Sequence, residues 1–280
     1  MPFRFQKQDA DLTAALRRIA AEMLERAAQE DDVREARKRV KKLRALLRLV
    51  RPGMKAARGA NDALRTAAAG LAPVRDAQAM LAVHDRLGGA ADGWLRATLA
   101  ARLTAAEAAG DGGHAFRQAL VPVTKAAARW SVKGDDAEVL AAGLVQTRKR
   151  GVAGLVAIRD GGGPEALHDW RREVKALWYQ ARLLAPVWPE AMEPVAAGAD
   201  ALGKALGDHH DLSIFRTLIG GMAEAEAPAV EVLALRASAR RQMADIEATA
   251  LPLGARLFAG PPEAVATLWS DWWRLWRRGR

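Results

Sequence analysis

Leu167-His168-Asp169-Trp170-Arg171-Arg172-Glu173-Val174-Lys175-Ala176-Leu177 spaces its large apolar residues three and four positions apart, the repeat of an α-helix buried along one side. An earlier stretch, Val33-Arg34-Glu35-Ala36-Arg37-Lys38-Arg39-Val40-Lys41-Lys42-Leu43, has the same pattern. Wound at 100° per residue, Arg34, Arg37, Lys38, Lys41 and Arg48 fall within an arc of about 100°. Val33, Ala36, Val40, Leu43, Leu47 and Val50 occupy the other side. In the later stretch His168, Arg171, Arg172, Lys175 and Arg182 take the corresponding angles, opposite Leu167, Trp170, Val174, Leu177 and Ala181. The spacing therefore predicts two core-packed helices, each turning a row of cations away from its own core.

Residues 33–50 carry Lys or Arg at 34, 37, 38, 39, 41, 42, 44 and 48 against a single acid, Glu35. A merely solvated face mixes signs at three- and four-residue spacing to gain ion-pair support. This one stacks like charges, which is destabilising unless an anion sits nearby. Positions seven apart lie about 10.5 Å apart along a helix, so such a row suits a ligand with regularly repeated negative charge. Arginine offers forked donors to phosphate oxygens and lysine a mobile point charge.

The two stretches stand 134 residues apart (168 against 34). Further on, Leu71-Ala72-Pro73-Val74-Arg75-Asp76 aligns with Leu206-Gly207-Asp208-His209-His210-Asp211 at 135 (211 against 76). Two matched blocks in one order at nearly one offset point to an internal duplication. Gly161-Gly162-Gly163-Pro164 divides the halves, 1–160 and 161–280, and is expected to be a linker. It is not a phosphate-cradling loop, because no GxxxxGK[ST] follows.

The remaining sequence is rich in Ala, Leu, Arg and Glu and has no period-2 runs of β-branched residues, so the expected fold class is all-α. Helices are predicted at 9–29, 32–50, 57–68, 74–87, 92–109, 115–130, 136–156, 165–185, 190–218, 222–248 and 262–277. They are separated by breaks that include Arg51-Pro52-Gly53, Gly88-Gly89, Gly110 to Gly113 and Gly220-Gly221. Asp11 and Pro164 are helix-start signals, and Phe3-Arg4-Phe5 is the one candidate for a short extended arm.

Lys plus Arg number 43 and Asp plus Glu 33, for a net charge of +10 and a pI near 10.4, which favours anionic partners. With 280 residues, half of them hydrophobic, the chain can form two closely joined helical bundles. There is no cysteine, which excludes disulfides, Cys-based metal sites and a Cys nucleophile and suits a reducing cytoplasm. The first twenty residues lack the apolar core of a signal peptide. Charges interrupt every apolar run well short of the roughly 20 residues needed to span a bilayer, so a soluble protein without membrane insertion is expected.

Residues 33–50 with 71–81, and 167–184 with 205–216, resemble the two halves of the CHAD domain, the conserved-histidine α-helical domain. That family's helices carry a His, an Arg three on and a Lys or Arg seven on, followed later by a helix of the type L-G-x-x-x-D. His168, Arg171 and Lys175 fit, as does Leu206-Gly207-Asp208-His209-His210-Asp211-Leu212. Phe3-Arg4-Phe5, Ala15-Leu16-Arg17-Arg18-Ile19-Ala20 and Trp272-Trp273-Arg274-Leu275-Trp276 look like the family's usual ends. The resemblance implies two four-helix-bundle-like halves related by pseudo-twofold symmetry, a basic groove or channel between them, and binding of inorganic polyphosphate, with some relatives at polyphosphate granules. In the first half Arg34 stands where the signature histidine is expected. Arginine keeps its charge, so anion binding survives there but a titrating imidazole does not.

The expected polyphosphate-binding residues are Arg34, Arg37, Lys38, Lys41, Arg48, His168, Arg171, Arg172, Lys175 and Arg182, with Arg75, His209 and His210 behind them. Adjacent histidines diverge by 100° on a helix, so His209 and His210 do not readily share a metal. His84 and His114 are read as packing residues. Asp76 and Asp211 recur at equivalent positions and are expected to orient a basic side chain by ion pairing, because a carboxylate facing polyphosphate would repel it. Trp170 and the stripe Trp269, Trp272, Trp273 and Trp276 have packing spacing, not that of a base-stacking platform. No cofactor or metal is expected. The leading expectation is a non-catalytic, cytoplasmic polyphosphate-binding protein. The alternatives are a phosphohydrolase or phosphotransferase acting on the same polymer, or a nucleic-acid-binding protein.

Overall fold

The computed structural model describes residues 3–110, 112–222 and 229–279. Among them it has eleven α-helices and no strand: α1 (Leu12–Ala28), α2 (Val33–Val50), α3 (Ala57–Ala69), α4 (Ala72–Arg86), α5 (Trp94–Ala108), α6 (Gly112–Ala127), α7 (Asp136–Arg159), α8 (Gly163–Leu184), α9 (Pro189–Met222), α10 (Ala229–Leu257) and α11 (Pro262–Arg278). The all-α expectation holds. Short polar side chains start several helices: Asp11 accepts from the amide of Ala14 at 2.7 Å, and Asp32 from that of Arg34 at 2.7 Å. Pro164 lies in the first turn of α8, where its missing N–H loses nothing.

The predicted helices fall close to the observed ones, with two instructive differences. Gly220-Gly221, expected as a break, lies inside α9. The last helix before α11 runs on through Pro252 to Leu257, not ending at 248, and its expected start at 222–228 lies largely outside the described residues. In both places packing between α9 and α10 outweighs weak helix propensity, which is only about 1 kcal/mol for a glycine. The link expected at 161–164 is a tight turn, with Gly161 and Gly163 at φ of +88° and +63°, a conformation other residues rarely adopt.

One large apolar cluster joins α1, α2, α3, α6, α7, α8, α11 and the first part of α9, so residues on both sides of position 160 share it. A smaller cluster joins α4, α5, α10 and the second part of α9. α9 serves both: Ala199, Leu202 and Leu206 belong to the first, and Leu212, Phe215 and Ile219 to the second. Trp170 is fully buried, and its indole N–H donates to the carbonyl of Gly151 at 2.9 Å. Of the C-terminal stripe, Trp269 and Trp273 are buried and Trp272 and Trp276 half-buried. The arm at Phe3–Phe5 is not a strand. Its two rings are buried and the Phe5 amide donates to Leu183 at 3.1 Å.

Candidate functional site

α2 packs on α8, α8 on α9, α9 on α4, and α4 returns to α2. The four helices surround a space that receives side chains from all of them. From α2 come Arg37 and Lys41, from α4 Arg75, from α8 His168, Arg171 and Lys175, and from α9 His210. Lys41 is open to water yet ringed by protein, as at the floor of a groove. That setting lowers its pKa to about 8: the enclosing protein strips water from the ammonium, and Arg171, Arg37, Arg75 and Lys175 crowd it with like charge. Burial likewise pushes the Arg37 and Arg171 guanidinium groups below their ordinary values, with Arg75 adding repulsion to both.

The cations are held in different ways. Arg75 donates to Asp76 at 2.7 Å and to Asp211 of α9 at 3.0 Å, so Asp211 orients a basic side chain from the neighbouring helix, as expected. The pKa of Arg75 is raised because those bonds and charges outweigh its burial. Lys175 lies 3.5 Å from Asp200 and over the face of Trp178, 4.1 Å from the ring centroid. Asp200 is shared with Lys204 at 2.8 Å. Arg37 donates to the carbonyl of Ala68 at 2.5 Å. Among the described residues Arg37, Lys41 and Arg171 have no carboxylate partner. Arg37 Nε, Arg171 Nε and His168 Nδ1 are also buried without a hydrogen bond, a condition that folded proteins rarely leave uncompensated.

His168 and His210 stack with ring centroids 4.0 Å apart and planes tilted by 31°. Burial lowers the pKa of both, that of His210 to about 4, and the neighbouring arginines add to the effect. Burial therefore favours the neutral form of both imidazoles. His209 points the other way. It is 1% exposed, and its Nε2 lies 2.7 Å from Glu247 of α10. Its expected role as a phosphate contact is corrected accordingly, since the 100° between helix neighbours puts one histidine in the groove and the other in the packing.

The other sequence-predicted residues lie around this centre. Arg48 is bound to Glu173 and clasps α2 to α8. Lys38 pairs with Glu35 at 3.0 Å and Arg172 with Asp169 at 2.6 Å. Arg182 rests 5.4 Å from the Trp178 ring centroid. Arg34 is exposed and makes no side-chain ion pair among the described residues. Of the residues set aside as packing, His84 is buried against Asp85 at 3.1 Å, and His114 is exposed.

The sequence-based site omits three features. Lys42 sits beside Arg182, Lys38 and Arg39, and its pKa drops to about 8, chiefly through burial. Gly203 and Gly207 of α9 form a notch for the cations of α8. A Cβ on Gly203 would lie 2.8 Å from the Lys175 stem, and one on Gly207 would lie 3.0 Å from the Arg171 guanidinium. The i,i+4 glycines in Leu202-Gly203-Lys204-Ala205-Leu206-Gly207 were the available signal for that close approach.

The sequence model of the CHAD domain matches residues 10–220. Two solved structures are similar along nearly the whole chain. The CHAD domain from the plant Ricinus communis gives a TM-score of 0.63 at 20% identity, covering 93% of this chain and 97% of that one. PptA from Streptomyces chartreusis gives 0.60 at 18% identity, covering 94% and 98%. Among curated proteins none matches the chain in sequence. No helix among the described residues is long and apolar enough to cross a membrane.

Proposed function

This chain belongs to the CHAD domain family, and from that membership and its groove we propose that it binds inorganic polyphosphate. The observation that carries the proposal is the trio Arg37, Lys41 and Arg171: three clustered cations without carboxylate partners among the described residues, two of them with buried N–H groups unspent. Like charges gathered this way raise the energy of the empty protein, and a polyanion reverses the sign of that term. Arg75 and Lys175, positioned by acids, line the two sides. The polymer is bound rather than hydrolysed, because Asp76 and Asp211 are both committed to Arg75. A cytoplasmic protein recruited to polyphosphate granules is the cellular counterpart of this proposal.

The test is affinity for long-chain polyphosphate as a function of salt. Binding is expected to weaken steeply with ionic strength. The double variant Lys41→Glu with Lys175→Glu should lower affinity by about two orders of magnitude or more, since each lost charged contact is worth about 1.5–3 kcal/mol. Wild-type affinity in that variant would remove the groove from consideration. Release of free phosphate in the presence of Mg²⁺ or Mn²⁺ would favour an enzyme, and equal competition by DNA a nucleic-acid-binding protein.

A further inference from the structure

A second cationic pocket lies outside the groove, where α2 ends. It occupies about 870 Å³ and brings together three separate segments: the turn after α2 (Arg51), the start of α3 (Lys55 and Arg58) and the segment after α6 (Arg129 and Lys133). No acidic residue lines it. All five cations are exposed, and none makes an ion pair or side-chain hydrogen bond among the described residues. Elsewhere on the surface Lys38, Arg39, Arg86, Arg96 and Arg172 each have a carboxylate.

The pocket is built on a fixed backbone. Lys133 N donates to the carbonyl of Gly53 at 2.8 Å. That approach is possible because residue 53 is glycine: a Cβ there would lie 2.5 Å from the Lys133 carbonyl oxygen. Thr13 bonds both the amide and the carbonyl of Val132, and Arg17 donates to the Trp130 carbonyl at 2.7 Å. Five like charges are thus gathered around one depression with no carboxylate partner among the described residues.

The pocket lies beyond the end of the helix that supplies Arg37 and Lys41 to the groove. Along α2 and into the turn after it a cation recurs every three or four residues, at Arg37, Lys41, Arg44, Arg48 and Arg51. At 1.5 Å per residue, Arg51 lies about 15 Å beyond Lys41. The row is interrupted where Arg48 binds Glu173 and resumes at the pocket. Trp130 is buried, so its indole offers no face on which a nucleobase could stack.

We infer that this pocket is a second grip on the polymer, which holds the part of a long polyphosphate chain that extends past the groove. The inference rests on the polyphosphate proposal. Two linked grips make the second contact intramolecular, so affinity rises once a chain spans both.

The experiment measures binding of polyphosphates of graded length to the full chain and to a Lys55→Gln, Arg129→Gln, Lys133→Gln variant. Short chains are expected to bind both proteins alike, and long chains to bind the variant about tenfold or more weakly, with a shallower salt dependence. Equal affinity of variant and wild type at every length would overturn the second grip and leave the groove standing. So would an equal loss at every length. If wild type bound no polyphosphate at all, the groove itself would fail. The three side chains are exposed and unpaired, so melting temperature should be unchanged. The single Arg129→Gln variant gives the same length-selective readout, in smaller measure, if the triple variant is poorly folded.

Discussion

The basic faces of α2 and α8 carry nearly the same residues at corresponding positions, yet they are held differently. On α8, Arg171 and Lys175 lie in a glycine notch of α9, Lys175 is tempered by Asp200 and Trp178, and His168 is stacked on His210. On α2, among the described residues, Lys41 has no acid and Arg37 only a carbonyl oxygen, while Arg34 reaches into solvent where its counterpart is a half-buried imidazole. The α8 face is positioned before any ligand arrives. The α2 face supplies two of the three charges left without a carboxylate among the described residues, Arg37 and Lys41, and α8 the third, Arg171. Two helices with matching cationic rows can therefore divide one task, one providing geometry and the other most of the attraction.

The largest expected effect separates the two central lysines. Lys41→Ala should lower polyphosphate affinity by roughly tenfold to a hundredfold, the worth of one charged contact. Lys175→Ala should cost less, because Asp200 already offsets part of its charge. In the ligand-free protein the order changes. Removing Lys41 relieves repulsion from Arg171, Arg37, Arg75 and Lys175, so its melting temperature should rise by roughly 1–3 °C. Calorimetry with and without polymer checks both, and equal effects at the two lysines would break the division of labour.

Next in size is the glycine notch. Gly207→Val places a branched side chain where the Arg171 guanidinium lies and should weaken binding several-fold. Ala72→Val, at the corresponding place in the first half, should leave binding within about twofold, as expected for a substitution away from special features. Titration of both variants with one polyphosphate sharpens or removes the contrast between preset and unset faces.

The smallest effect is in pH. The folded pKa of His210 lies near 4 and that of His168 is also depressed, whereas unfolded histidine titrates near 6.5. Between those values the unfolded chain binds more protons than the folded one, so stability rises with pH. The contribution is complete above about 6.5 and is lost as pH falls toward 4. Denaturant midpoints should therefore decline across that window, less so in His210→Gln. Bound polyphosphate favours the imidazolium and should shallow the decline in wild type.

Much of this was legible in the chain. Helical periodicity located α2 and α8 and put Trp170 on the buried side, because a helix buries one stripe whatever it packs against. The same periodicity could not tell which cations remain free. Arg48 belongs to Glu173 on another helix, and no spacing within α2 reveals that. Nor could it rank His209 above or below His210, since the choice depends on where α10 places Glu247. The pocket formed by Arg51, Lys55, Arg58, Arg129 and Lys133 was equally hidden, because its residues come from three segments whose only link is spatial.

The sequence by itself determined an all-helical chain with two cationic helix faces and an excess of positive charge, since these depend on composition and on intervals of three and four residues. The tertiary structure decided which of those charges count. A cation's worth depends on how much water the surrounding protein removes and on whether a carboxylate reaches it first, and both depend on residues far away in the chain. That is why Lys41 and Arg171 stand at the centre of the groove, while Lys38, one turn before Lys41, and Arg172, next to Arg171, are neutralised at its edge.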